Sequence, residues 1–282
     1  MTKAFCPGHI TCFFSPVITG DPLTTGSLGA GIRLDKGATV TLEERRDKKI
    51  IATADGKECA AAIAKDAVRH LMPDRGFDIL IGNDLPVSQG LGMSAASAVA
   101  SALCVAAMFG MDDHDAYVAA HIAEVRNGGG LGDVSGIMGG RQTVRVSAGI
   151  PPYGRTIDTG LRMRLTVAVL SGGVDTKDVL SDDAAIERIK RAGAECVNEY
   201  IARPHEKRLY GISAKFMNAA GLGTERVREA LSALAAYPAS MCMLGNSIFT
   251  NASAPEVKDA LGAGVTAFPC RSGGGPKVIR KA

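Results

Sequence analysis

Two glycines stand two residues apart, Gly90 and Gly92, and Ser94 with a run of small residues to Ala107 follows at once. With no Cβ in the way, such a loop lets backbone N–H groups come close to an anion. The run behind it is rich in Ala, carries Leu103 and Val105, and has no Pro or Gly before Gly110, which predicts a helix. A glycine loop feeding a helix N-terminus suits phosphate: the first N–H groups lack intrahelical partners, and the macrodipole favours negative charge there. The same pattern also serves as a packing turn, so the choice depends on what else converges on it. The Gly-x-x-x-x-Gly-Lys-Ser/Thr loop is absent from the chain.

Three further groups could complete a reaction centre. Asp133 lies in the glycine-rich stretch 127–136, where a carboxylate reaches a substrate hydroxyl without side-chain crowding; a solvated loop carboxylate is the plain alternative. Arg141, Thr143 and Arg145 share one face of an alternating segment. That face is either solvated or meets an anionic substrate, because a guanidinium pairs a carboxylate in bidentate fashion. Arg145, deeper along the segment, is the choice. Ser27 is the one hydroxyl inside Gly26-Ser27-Leu28-Gly29-Ala30-Gly31, a frame that suits either a ligand or a tight turn.

These groups need elements to hold them. Residues 3–14 read as a strand, a Pro7-Gly8 turn and an apolar continuation, and 32–42 as a strand. Ala60, Ile63, Ala64, Ala67, Val68 and Leu71 line one face of a helix over 57–71 that stops before Pro73. A short strand, 77–81, delivers the chain to the glycine loop. A helix capped by Asp113 and running to about Arg126 sets Tyr117, His121 and Glu124 on one face. Further on come a strand over 162–170, helices over 182–203, 206–220 and 225–236, a strand over 240–244, a helix over 254–261 and two terminal strands. Thr224 caps the third of those helices. Pro151-Pro152-Tyr153-Gly154 breaks the pattern, so the expected halves are 1–150 and 151–282 in an α+β fold.

Composition narrows the function. The 282 residues are 46% hydrophobic and 22% charged, enough for a sizeable core without disordered tracts. A net charge of +3 is too mild to indicate nucleic acid, and tryptophan is absent, against a base-stacking surface. No long apolar span and no signal-peptide pattern occur, so a cytoplasmic protein away from membranes is expected. Seven scattered cysteines read as reduced thiols.

The stretch Pro86-x-x-x-Gly90-Leu91-Gly92-x-Ser94-Ala95-Ala96 resembles the phosphate loop of the GHMP kinases, with Met93 in place of the first serine of the usual pair. The opening Pro7-x-His9-Ile10-Thr11-x-Phe13-Phe14 with Gly26 to Gly31 resembles the branch that phosphorylates pantoate in archaeal coenzyme A synthesis. His9 stands where the superfamily usually has Lys or Arg. The resemblance implies an N-terminal ribosomal-protein-like half, a C-terminal ferredoxin-like half and a site between them. It implies ATP and magnesium: Gly90, Leu91, Gly92, Met93, Ser94 and Ala95 on the phosphates, and Ser94 with Glu124 on the metal. It makes Asp133 the catalytic group that orients or deprotonates the hydroxyl. Ser27, His121, Arg145 and Thr176 would contact a small carboxylate-bearing alcohol, pantoate on this resemblance, with mevalonate, homoserine or shikimate as the alternatives, or, in another class, a nucleotide-binding regulator that has lost catalysis. A homodimer is expected.

Overall fold

The computed structural model describes residues 1–170, 183–262 and 264–280. Two sheets and eight helices account for the described residues, in the mixed α+β arrangement that the sequence suggests. The first sheet is built on two long strands, β1 (Thr2–Val17) and β2 (Gly26–Arg45), paired antiparallel almost throughout. β3 (Ile50–Ala54) pairs in parallel with β5 (Gly76–Asn83), which lies antiparallel to the far half of β2. Near its start, β2 also pairs with β6 (Gln142–Ser147), which pairs in turn with β7 (Arg155–Asp158). The second sheet is antiparallel, with β11 (Thr266–Arg271), β8 (Arg164–Val169), β10 (Ser247–Thr250) and β9 (Ala239–Met241) side by side. Strand β12 (Lys277–Arg280) returns to the open side of β1, so the first sheet takes strands from both ends of the chain.

Local chemistry explains three departures from the sequence reading. Pro7 and Gly8 do not turn the chain; β1 passes through them with an irregular register between Pro7 and His9. An irregularity tolerates a proline because the missing N–H falls where the ladder is already broken. Lys57–Glu58 forms a short strand, β4, against β3 rather than the start of a helix. Asp55 and Gly56 both take positive φ, the Asp-Gly hairpin turn, and α1 spans only Ala62–Leu71. Asp133 is not in a loop: it is the first residue of α4 (Asp133–Gly139).

Helix α2 (Met93–Phe109) carries the small residues and is buried on nearly every side, against the first sheet, α1 and α3 (Asp113–Arg126). Its alanines allow that close approach. The cap of α3 is Asp112, whose side chain accepts from the His114 N–H, one residue earlier than expected. Helix α5 (Asp183–Ile201) crosses β1 at Gly193, where an added Cβ would stand 2.0 Å from the Phe14 carbonyl oxygen. Helices α6 (Glu206–Ala220), α7 (Glu225–Ala233) and α8 (Ala254–Leu261) cover the second sheet, the last two capped by Thr224 and by a Ser253–Glu256 capping box. Among the described residues no helix is long and apolar enough to cross a membrane.

Candidate active site

A cavity of about 630 Å³ opens where β1, β2, the starts of α1 and α2, the end of α3 and the start of α4 meet. Ser27, residues 90–95, Glu124 and Asp133 all line it, although they are far apart in sequence. The turn at Met243 and Leu244, between β9 and β10, forms part of its rim.

The glycine loop is shaped by its neighbours. Gly90 and Gly92 have φ of 72° and 61°, which an L side chain rarely adopts. A Cβ on Gly92 would also stand 2.9 Å from the His9 carbonyl oxygen, and one on Gly90 would stand 2.8 Å from the carbonyls of Cys242 and Met243. Gly92 is the N-cap of α2 and supplies no side-chain cap, so the first N–H groups of α2 are left for another acceptor. Met93 is buried in the core, whereas Ser94 is exposed at the cavity. Gly245 seats the second sheet on this loop: an added Cβ would stand 2.1 Å from the Gln89 carbonyl carbon. Gly245→Ala is therefore expected to displace one backbone or the other, at about 1–3 kcal/mol for overpacking. The check is affinity for a phosphate-bearing ligand at the glycine loop: it should weaken more than twofold, and an unchanged affinity with unchanged melting temperature would show that the contact is dispensable.

The two carboxylates have opposite electrostatics. Glu124 is 1% exposed, and its Oε2 has no hydrogen-bond partner among the described residues. Burial, and then the nearby Asp133 charge, push its carboxyl well above the usual range. Asp133 keeps a fifth of its side chain exposed. Burial would raise it too, but the hydrogen bond from His9, the Arg145 charge and the Thr11 hydroxyl outweigh burial and hold it below the usual range. His9 Nδ1 lies 2.8 Å from Asp133 Oδ1, and the Thr11 hydroxyl donates to the same oxygen at 3.3 Å. A charge-poised carboxylate beside one with an oxygen left without a partner, next to a phosphate-shaped loop, suits phosphoryl transfer to a hydroxyl.

Arg145 and His121 stand behind this surface rather than on the cavity wall. Arg145 is 1% exposed; its Nε donates to the Ser27 carbonyl at 3.3 Å, and neither Nη atom has a partner among the described residues. Gly132 separates it from the cavity, since a Cβ there would stand 2.5 Å from Ser27 Oγ and 2.6 Å from Arg145 Nε. His121 Nε2 lies 3.0 and 3.1 Å from the carbonyls of Pro22 and Thr25, tying α3 to the loop before Ser27. Thr176 lies outside the described residues. Thr11, Phe14, Asn127 and Ala61–Ala64 also line the cavity and were missed in the sequence. Strand alternation could have found Thr11, because residues 9 and 11 share a face. Nothing in the local pattern pointed to Ala61–Ala64, whose role comes from where α1 starts.

The sequence profile of the family "GHMP kinases N terminal domain" matches residues 57–141, from β4 to just past α4. Pantoate kinase from Methanocaldococcus jannaschii is 30% identical over 258 residues, covering 91% of this chain and 95% of its own. Pantoate kinase from Thermococcus kodakarensis is 32% identical over 272 residues, covering 92% and 90%. A solved "Phosphotransferase related to CoA biosynthesis pathway" superposes with a TM-score of 0.87 at 29% identity, covering 99% of this chain and 98% of its own. With identity of this extent to both relatives, the chain belongs to the pantoate kinase family of the GHMP kinases.

Proposed function

We propose that the chain transfers the γ-phosphoryl group of ATP to the hydroxyl of D-pantoate, giving 4-phosphopantoate for coenzyme A synthesis. The observation that carries this reading is the meeting of the glycine loop, Glu124 and Asp133 in one cavity of a chain similar to pantoate kinases along almost its whole length. Backbone N–H groups of residues 90–95 hold the phosphates. Asp133 takes or orients the proton of the acceptor hydroxyl, with Ser27 at the same wall and Thr176 as a further contact. Arg145, which lies behind Gly132 rather than on the cavity wall, is the positive charge for the pantoate carboxylate, and its two unpaired Nη atoms leave that charge uncommitted. His121 supports the acceptor side by holding the loop before Ser27.

The residues also fit magnesium. A buried carboxylate oxygen without a partner, on Glu124, and the exposed Ser94 hydroxyl both face the cavity. Among the described residues no three His, Cys, Asp or Glu side chains form a cage, so phosphate oxygens would complete the coordination. Bound there, the ion would neutralise charge on the phosphates during transfer. The same reading makes the protein a cytoplasmic homodimer with no need of nucleic acid or membrane.

The test is an ADP-release assay over pantoate, mevalonate, homoserine and shikimate: pantoate should give the highest kcat/KM, and preference for another alcohol would replace it. Arg145→Ala is expected to weaken pantoate binding by roughly 2–5 kcal/mol, the cost of leaving a buried charge without its partner. The KM for ATP should move far less. Equal losses for both substrates would make Arg145 a structural charge.

A further inference from the structure

We propose that His9 is a neutral positioning residue that ties the phosphate loop to the acceptor base, its backbone N–H holding Leu91 and its imidazole Nδ1–H holding Asp133. The proposal rests on the role given to Asp133 above. The His9 N–H donates to the Leu91 carbonyl at 3.0 Å, in the middle of the glycine loop. The side chain of the same residue reaches Asp133 Oδ1 at 2.8 Å. One residue of β1 thus touches the phosphate half and the acceptor half of the site.

The surroundings select the tautomer. His9 is 0% exposed. Its Nε2 is enclosed by two glycines: a Cβ on Gly31 would stand 2.2 Å from it, and one on Gly136 would stand 2.4 Å from it. No acceptor is available to Nε2 among the described residues. A proton on Nε2 would therefore be buried without a partner, which costs free energy. A carboxylate only accepts, so the proton belongs on Nδ1. The charged groups around the ring pull in both directions: Asp133 favours a cation, while Arg145 and Arg33 oppose one, and burial opposes it most.

The consequence falls on Asp133. Two donors, His9 Nδ1–H and the Thr11 hydroxyl, occupy Oδ1. Oδ2 is turned toward Gly130 on the cavity wall, where a Cβ would stand 2.6 Å from it, so only glycine leaves that oxygen open. Oδ2 is the atom left for the hydroxyl. His9 accepts no proton in this scheme; it fixes which carboxylate oxygen faces the substrate.

The test uses the whole chain and three variants. The amide nitrogen of asparagine can take the place of Nδ1, whereas that of glutamine takes the place of Nε2 and faces the glycine wall. His9→Asn should keep kcat within about tenfold of wild type, while His9→Gln and His9→Ala should lose on the order of 10²-fold, the scale for a misplaced reacting group. KM for ATP should change little in His9→Asn and His9→Gln. Equal kcat in the Asn and Gln variants would overturn the proposal. Histidine ¹⁵N NMR of the wild type supplies a readout without turnover: a resonance pair for Nδ1–H and bare Nε2, perturbed by Asp133→Ala, is expected. A doubly protonated or Nε2-protonated His9 would overturn it. A wild type that leaves pantoate untouched would instead overturn the assigned substrate, and the NMR result would still decide the role of His9.

Discussion

Asp133→Asn is expected to lower kcat by roughly 10²–10⁴, the range for general acid–base groups, with ATP affinity almost unchanged. The geometry makes this a clean substitution. The Asn carbonyl oxygen can still accept from His9 Nδ1–H and the Thr11 hydroxyl, which meet a single oxygen, Oδ1. What disappears is the negative charge and the proton acceptor at the second oxygen. Loss of charge in the first turn of α4 costs about 0.3–1 kcal/mol, and because the donors around Asp133 outweigh its burial, this loss is small but not offset. The melting temperature should therefore stay close to wild type. The measurement is a paired thermal melt and ADP-release assay. Normal turnover in Asp133→Asn would remove Asp133 from the chemistry, and a large drop in melting temperature with surviving kcat would make it a structural residue of the α4 N-terminus.

Glu124→Gln is expected to lower kcat by at least about 10²-fold, the scale for losing one preorganised electrostatic contact to transferring phosphate. It should do so without unfolding the protein. In the metal-free protein Glu124 Oε2 is buried with no partner among the described residues, an arrangement that costs about 1–3 kcal/mol. The sign of the pH effect follows from the raised carboxyl. A group whose pKa is raised on folding contributes stability below its ordinary range, and that contribution is lost as pH rises through the folded value. Metal-free wild type should thus lose stability relative to Glu124→Gln as pH rises above the usual carboxylate range. Magnesium with ADP should stabilise wild type by mass action and Glu124→Gln much less. Equal thermal shifts with magnesium and ADP for the two proteins would sink the assignment of Glu124 as a ligand.

Short-range signals were legible from the chain alone. The glycine loop, the helix behind it and the capped helix bearing His121 and Glu124 depend on local conformational preference and period, which neighbouring residues determine. The α+β class followed from the alternation of such segments. Motif order also brought Ser94, Glu124 and Asp133 together as a candidate set, and all three line the cavity. Local patterns misled where two short-range choices compete. Pro7-Gly8 reads as a turn, but pairing with β2 on both sides of it, Cys6 with Ala38 and His9 with Arg33, carries the strand through. Lys57 and Glu58 continue a helical face in sequence, but the Asp55-Gly56 hairpin commits them to β4.

Only the tertiary structure decided the depth of each side chain and the partner of each charge. Alternation places Arg145 on a strand face without saying that Gly29 and Gly132 let the guanidinium lie behind the cavity floor. It leaves His9 as a residue after a glycine, 124 positions from the carboxylate that it holds. Burial raises Glu124 while donors lower Asp133, although both are carboxylates set among glycines or alanines in sequence. Dielectric surroundings and hydrogen-bond donors are supplied by segments distant in the chain. Residue type and spacing therefore determined which groups could take part in phosphoryl transfer, and packing of β1 against α4 and of β6 against β2 decided which of them meet, because a charge is tuned by what surrounds it in space.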